Sequence, residues 1–319
     1  MCRKSPGIVV SKQLLRERLP YRPLWWRLLR GTEAFAYVLM APAILTIAVV
    51  VLYPTLTAID ISFRRVDIYT PGSARGPFTL TNYARLFGST AFWQSVQVTL
   101  SYMVISVAFA LLIGFGTAIL LHQRFRGRTL ARMMAVLPWA IPPVVAANIW
   151  WWILDPSFGL LNWVLLKVGL IKEPVNWIIS PGPALAAVSM VTVWKGYPFF
   201  VVMTLAGLQA IPQDLYDSAA VDGAGRLAAF LHITLPALRQ ILALATLLTV
   251  MWVFREFAII WVLTGGGPMR ATETLAIMTY TEAFAHFRMG VGAAVGVVTL
   301  VISTIASIIF IRQSRKEFY

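Results

Sequence analysis

Three charged residues of this chain stand where charge is costly. Lys195, Arg255 and Glu256 each lie inside long apolar stretches, and a charge at the centre of a bilayer costs about 2.5–3.5 kcal/mol on insertion scales. Each therefore needs a partner, water or a cavity. In one arrangement Lys195 pairs with Glu256, or Arg255 pairs with a neighbouring subunit. In the other, Lys195 and Glu256 line a polar cavity with Trp194, Tyr197 and Phe254, and Asn148 is a weaker contributor. A carboxylate accepts hydrogen bonds from hydroxyl groups, and aromatic rings pack on the C–H faces of pyranoses, so such a cavity suits a hydroxylated solute. The run Trp150-Trp151-Trp152 reads as an interfacial aromatic belt, with sugar stacking as the alternative.

Catalysis finds no support in the chain. No His-Glu-x-x-His and no Gly-x-Ser-x-Gly occur, and Gly265-Gly266-Gly267-Pro268 is not followed by the Lys-Ser/Thr of a phosphate-binding loop. Cys2 is the only cysteine, and His122, His232 and His286 are far apart. Neither a cysteine-based metal site nor a cofactor held by this chain is expected.

The elements that must position these residues are membrane spans. Of 319 residues, 59% are hydrophobic and only 13% charged, with a mean hydropathy of +0.74; soluble domains carry about 25% charge. The expected fold is all-α, a polytopic integral membrane protein with spans at 34–59, 93–121, 130–152, 184–208, 241–263 and 290–311. Lys195 falls on the fourth and Glu256 inside the fifth. Gly114 and Gly116 suggest close helix packing in the second. Pro138, Pro142 and Pro143 interrupt the third. The apolar run 160–170 is too short to span and reads as a re-entrant or surface helix.

The net charge of +14 is placed mainly at the ends and in short loops, which argues against a nucleic-acid partner and for membrane lipid. Residues 1–33 form a basic N-terminal segment, 34–312 the membrane domain and 313–319 a short tail. Within the first, 24–29 reads as an amphipathic interfacial stub or part of a basic tail. No cleavable leader is expected, because the first apolar run begins only after Glu33. Arg124, Arg126, Arg128 and Arg132 crowd one short loop, and Arg312, Arg315 and Lys316 follow the last span. The excess of such residues over the opposite side places both termini in the cytoplasm.

One long polar interval, Pro212–Pro236, divides the second half. Pro212 suits the first turn of a helix. Leu215, Ala219 and Ala220 give a narrow apolar stripe, and Asp222-Gly223 breaks the run. A second short amphipathic segment, Arg226–His232, is expected to end at Pro236. Two short helices bent at a glycine would make a compact knob on the side of the termini.

The run Tyr216-Asp217-Ser218-Ala219-Ala220-Val221-Asp222-Gly223-Ala224, followed by Phe230, Ile233, Leu235 and Pro236, resembles the EAA loop of permease subunits in binding-protein-dependent ABC importers. Asp217 stands where that family usually has Glu, one methylene shorter, and Ser218 where it usually has Ala. Two further stretches resemble the family: Leu80, Asn82 and Tyr83 after the first span, and Trp261–Pro268, typical of the first of two permeases in sugar and glycerol-phosphate importers of the type I fold. The resemblance implies a non-catalytic permease in the bacterial plasma membrane. Its pore would be completed by a second, homologous permease. Two ATP-binding subunits, which hold ATP and Mg, would press on Tyr216, Asp217, Ser218, Ala219, Ala220, Asp222, Gly223, Ala224 and Pro236. An extracytoplasmic binding protein would deliver a sugar, oligosaccharide, polyol or related solute. The rival is a secondary transporter driven by an ion gradient, which would need inverted repeats and ion-binding acids within its spans; no convincing repeat is present, and Glu256 is the one acid that fits.

Overall fold

The structure, a computed structural model, describes residues 32–66 and 76–316. The expected interfacial stub at 24–29 and most of the basic N-terminal segment lie outside them. All regular structure among the described residues is helical. The chain divides into two units, residues 1–57 and 58–319, each described by itself.

Helix α1, Ala36–Ser62, carries the first unit across its boundary. Pro54 removes an N–H and crowds the preceding turn. The helix absorbs this in a π-helical turn, Ala48–Leu52, where the N–H of Tyr53 donates to the carbonyl of Ala48. Thr46, Thr55 and Thr57 turn their hydroxyls onto carbonyls four residues back, at 2.7–2.9 Å, which leaves an apolar exterior.

The second unit is arranged around α7, Pro181–Ala210. Half of its most apolar window is buried, more than in any other candidate span. It packs most extensively on α3, Thr90–His122, and also on α4, Arg128–Ala140, and α9, Arg226–Phe254. Gly114 explains the close α3–α7 contact. A Cβ there would lie 2.5 Å from Cβ of Phe200 and 2.6 Å from the carbonyl oxygen of Tyr197. Gly116 has no neighbour that close, so the packing role expected of both glycines belongs to Gly114 alone. Gly114→Leu is expected to force the two helices apart and destabilise the chain by about 1–3 kcal/mol or more. Gly116→Leu should leave thermal unfolding in detergent unchanged, and equal melting of the two variants would refute the assignment.

Three expected elements differ. The third span is two helices, α4 and α5 (Pro143–Ile153), bent by 101°. Pro142 and Pro143 lack the N–H groups that would continue the ladder, so α4 stops at Ala140. The fifth span is shifted. Helix α9 starts in the polar interval and ends at Phe254, and the short α10, Ala258–Thr264, follows a break. Arg255 and Glu256 therefore lie in the break and not inside a helix. Pro236 does not close a helix either: a π-helical turn, Phe230–Thr234, precedes it and carries α9 through.

The run 160–170 forms a short helix, α6 (Leu160–Lys167). Two more helices lie between the expected spans. Helix α2, Thr81–Phe87, follows α1. Its Asn82 is buried and donates to the carbonyls of Ser62 and Arg64, both at 2.8 Å, while Tyr83 Oη meets Ser62 Oγ at 2.7 Å. Helix α11, Leu275–Tyr280, folds into the core: Leu275, Ile277 and Met278 are buried, and the Leu275 N–H donates to Thr99 Oγ1. It packs on the last span, α12 (Met289–Lys316).

Candidate functional site

A cavity of about 130 Å³ opens between α3, α7 and α9, bounded also by the two helix breaks. Lys195 and Glu256 both line it. They do not form an ion pair; each is held by a helix end. Lys195 Nζ donates to the carbonyls of Ile141 (2.7 Å) and Trp139 (3.4 Å), where α4 stops. The partial negative charge of that C-terminus favours the ammonium. Glu256 Oε1 accepts the N–H of Ile259 at 3.0 Å, in the first turn of α10, where the helix dipole favours an anion. The broken helices thus supply what the apolar surroundings deny: fixed dipoles that hold one cation and one anion at a shared cavity.

The rest of the wall was not singled out from the sequence, although its spacing could have found it. Thr192, Lys195, Gly196 and Phe199 lie at i, i+3, i+4 and i+7 on α7, and Thr249, Trp252 and Glu256 follow the same face along and past α9. Trp139 adds an aromatic wall from α4, at 5.9 Å from Phe199, whose ring also meets Trp252 at 4.8 Å. Thr192 is oriented by Tyr102 Oη at 2.6 Å. Ser106 Oγ, also at the cavity, is buried with no hydrogen-bond partner among the described residues. The site can offer an acceptor, an ammonium, hydroxyls and aromatic faces to one small polar molecule.

The other sequence candidates stand elsewhere. Trp194 packs edge-on against Trp150 at 5.6 Å, away from the cavity. Tyr197 packs among Ala118, Val201 and Leu205, and Phe254 is buried with Leu86 and Phe92. Asn148 is exposed on α5 and donates to the carbonyl of Val144 at 2.8 Å. Arg255 is exposed and donates to the carbonyl of Met251. Trp151 and Trp152 are exposed as well.

The polar interval forms α8, Gln213–Val221, then a turn, then α9. The turn is closed by the Gly223 N–H on the carbonyl of Ala220 (3.1 Å) and the Ala224 N–H on that of Ala219 (2.9 Å), a Schellman closure. It requires the left-handed conformation at Gly223, where φ is +79°. Tyr216 Oη meets Thr234 Oγ1 at 2.9 Å and ties α8 to the start of α9. Asp217, Ser218, Ala220, Asp222, Gly223, Ala224 and Pro236 are exposed; Ala219 is half-buried. Around them Leu215, Val221, Leu227 and Leu231 expose apolar surface. Because α9 is one helix of 29 residues, it links this turn to Glu256 over about 43 Å.

Residues 110–317, more than half the chain, match the family described as binding-protein-dependent transport system inner membrane component. A trehalose/maltose transport system permease of Thermococcus litoralis is 36% identical over 88% of this chain and 93% of its own length. A sulfoquinovosyl glycerol transport system permease of Agrobacterium fabrum is 33% identical over 92% and 95%. Among solved structures, a chain of a bacterial ABC transporter involved in import of the acidic polysaccharide alginate superposes with a TM-score of 0.78. It is 21% identical, and the match covers 92% of this chain and 98% of that one, a likeness of fold. With its apolar spans, paired broken helices and this match, the chain belongs to the family of binding-protein-dependent transport system inner membrane components and is a multi-pass permease subunit of an ATP-driven importer.

Proposed function

We propose that the solute is a saccharide or a polyol-bearing relative of one, and that it contacts the cavity between α3, α7 and α9 during passage. The observation that carries this reading is the wall itself: a carboxylate and an ammonium held by helix ends, hydroxyls, and the rings of Trp139, Phe199 and Trp252. The relatives named for trehalose/maltose and sulfoquinovosyl glycerol support the class.

The exposed α8–turn–α9 segment is the proposed contact with an ATP-binding subunit. Tyr216, Asp217, Ser218, Ala219, Ala220, Asp222, Gly223, Ala224 and Pro236 lie at or beside its surface, and its leucines supply the apolar part. ATP and Mg are bound by that subunit. In this reading two such subunits serve this chain and a second, homologous permease, while a binding protein delivers solute on the far side. Both termini and the α8–α9 turn then face the cytoplasm, in keeping with the arginines at 124–132 and after the last span.

Uptake into vesicles carrying the assembled transporter and its binding protein tests the solute class. Labelled neutral disaccharides should accumulate, whereas amino acids and inorganic anions should not. Accumulation of an amino acid with no saccharide uptake would overturn the reading.

A further inference from the structure

A second pocket, of about 190 Å³, shares no lining residue with the first and is cationic. Arg65, Arg85 and Arg288 reach it from three separate elements, and among the described residues none that lines it is acidic. Among the described residues, Asp60 pairs with Arg64 at 2.9 Å, and the buried Glu282 lies 3.6 Å from Arg288 and 3.3 Å from His286, so one of the three arginines already has an acidic neighbour. The frame beneath the pocket is hydrogen-bonded. Asn82 is buried and holds the carbonyls of Ser62 and Arg64, and the Gly290 N–H donates to the carbonyl of Val66 at 3.2 Å. Arg65 donates to Thr81 Oγ1 at 3.1 Å, which orients its guanidinium at the rim.

The level of the pocket identifies what could fill it. It lies where two apolar spans end, beside Ser62 of α1 and Met289 of α12. Phe78, Phe87 and Trp93 expose aromatic surface close by, and the indole N–H of Trp93 is satisfied by the carbonyl of Phe87. Exposed aromatics at span ends mark the headgroup layer. In that layer the abundant anion is phosphate, whose oxygens match the forked donors of guanidinium groups. We propose that Arg65, Arg85 and Arg288, with the hydroxyl of Thr81, form a binding site for the phosphate of an anionic phospholipid. The site anchors the junction of α1, α2 and α12 to the bilayer. It rests on membrane embedding alone and is independent of the transported solute.

The test uses the assembled transporter extracted in mild detergent with phosphatidylglycerol, and counts retained lipid by native mass spectrometry. Arg65→Gln with Arg85→Gln spares the Arg288–Glu282 contact. An arginine near an anionic surface contributes roughly a fivefold preference, so the double variant should retain phosphatidylglycerol about 25-fold less well. Arg85→Lys in place of Arg85→Gln should restore part of the retention, which a merely misfolded variant would not do. Unchanged retention in the double variant overturns the proposal. So does binding of inorganic phosphate that these substitutions abolish while lipid retention stays constant. Loss of binding-protein capture with lipid retention intact would assign the arginines to protein docking and overturn it as well.

Discussion

Gly223→Val is expected to abolish coupled uptake while leaving the membrane core folded. The turn places residue 223 at a φ of +79°, where no neighbouring atom crowds the position, so backbone conformation alone decides the outcome. A residue with a Cβ pays about 1–2 kcal/mol there, and a β-branched one pays most. That exceeds what a short exposed helix such as α8 can supply, so the Schellman closure should open and α8 should lose its angle to α9. The proposed ATPase contact would then be misplaced. Gly223→Asn is the control, because asparagine tolerates the left-handed region. Uptake, ATP hydrolysis and co-purification of the ATP-binding subunit should be measured together. Valine should lower uptake by at least tenfold with the subunit lost or hydrolysing ATP unproductively, a change of about 1.4 kcal/mol or more; asparagine should retain most activity. Wild-type uptake in the valine variant would reduce the segment to a connector.

Glu256→Gln is expected to lower uptake about tenfold or more without loss of assembly. Glutamine keeps an oxygen to accept the N–H of Ile259, so α10 retains its cap, but the negative charge at the cavity is gone. Hydrogen bonds to a charged acceptor contribute roughly 1.5–3 kcal/mol, about twice the neutral kind, which sets the size of the effect. Glu256→Ala removes the cap as well and should lower thermal stability by about 1 kcal/mol in addition. The split between the two variants separates solute contact from helix capping. If glutamine transports normally and only alanine fails, Glu256 serves α10 and not the solute.

Much of this architecture was legible in the sequence because long apolar runs and glycine-broken turns are local signals. Gly223, Asp222 and the exposed small residues of α8 were readable from type and spacing alone. Lys195 and Glu256 stood out because charge in an apolar run demands an explanation. Their actual partners were not readable, since a helix terminus from another part of the chain leaves no mark beside the residue it holds. Pro142 signalled a break but not a bend of 101°. Pro236 looked like a stop because a π-helical turn, which lets a helix pass a proline, depends on the path of the whole backbone. Trp194 and Phe254 were attractive by type, yet helical phase turns them from the cavity; Thr192, Phe199 and Trp252 were missed, although the i, i+3, i+4 rhythm that starts from Lys195 and Glu256 would have found them. Buried Glu273 gave no signal in sequence; Ser95, Arg270 and Thr281 converge on it only in the fold.

Solute accumulation in sealed vesicles, with every ion gradient collapsed by ionophores, tests the central claim most directly. The assembled transporter, with its binding protein on one face and Mg-ATP on the face of the α8–α9 turn, should accumulate solute only while ATP is hydrolysed. Accumulation that follows an imposed proton or sodium gradient in the absence of ATP would contradict it.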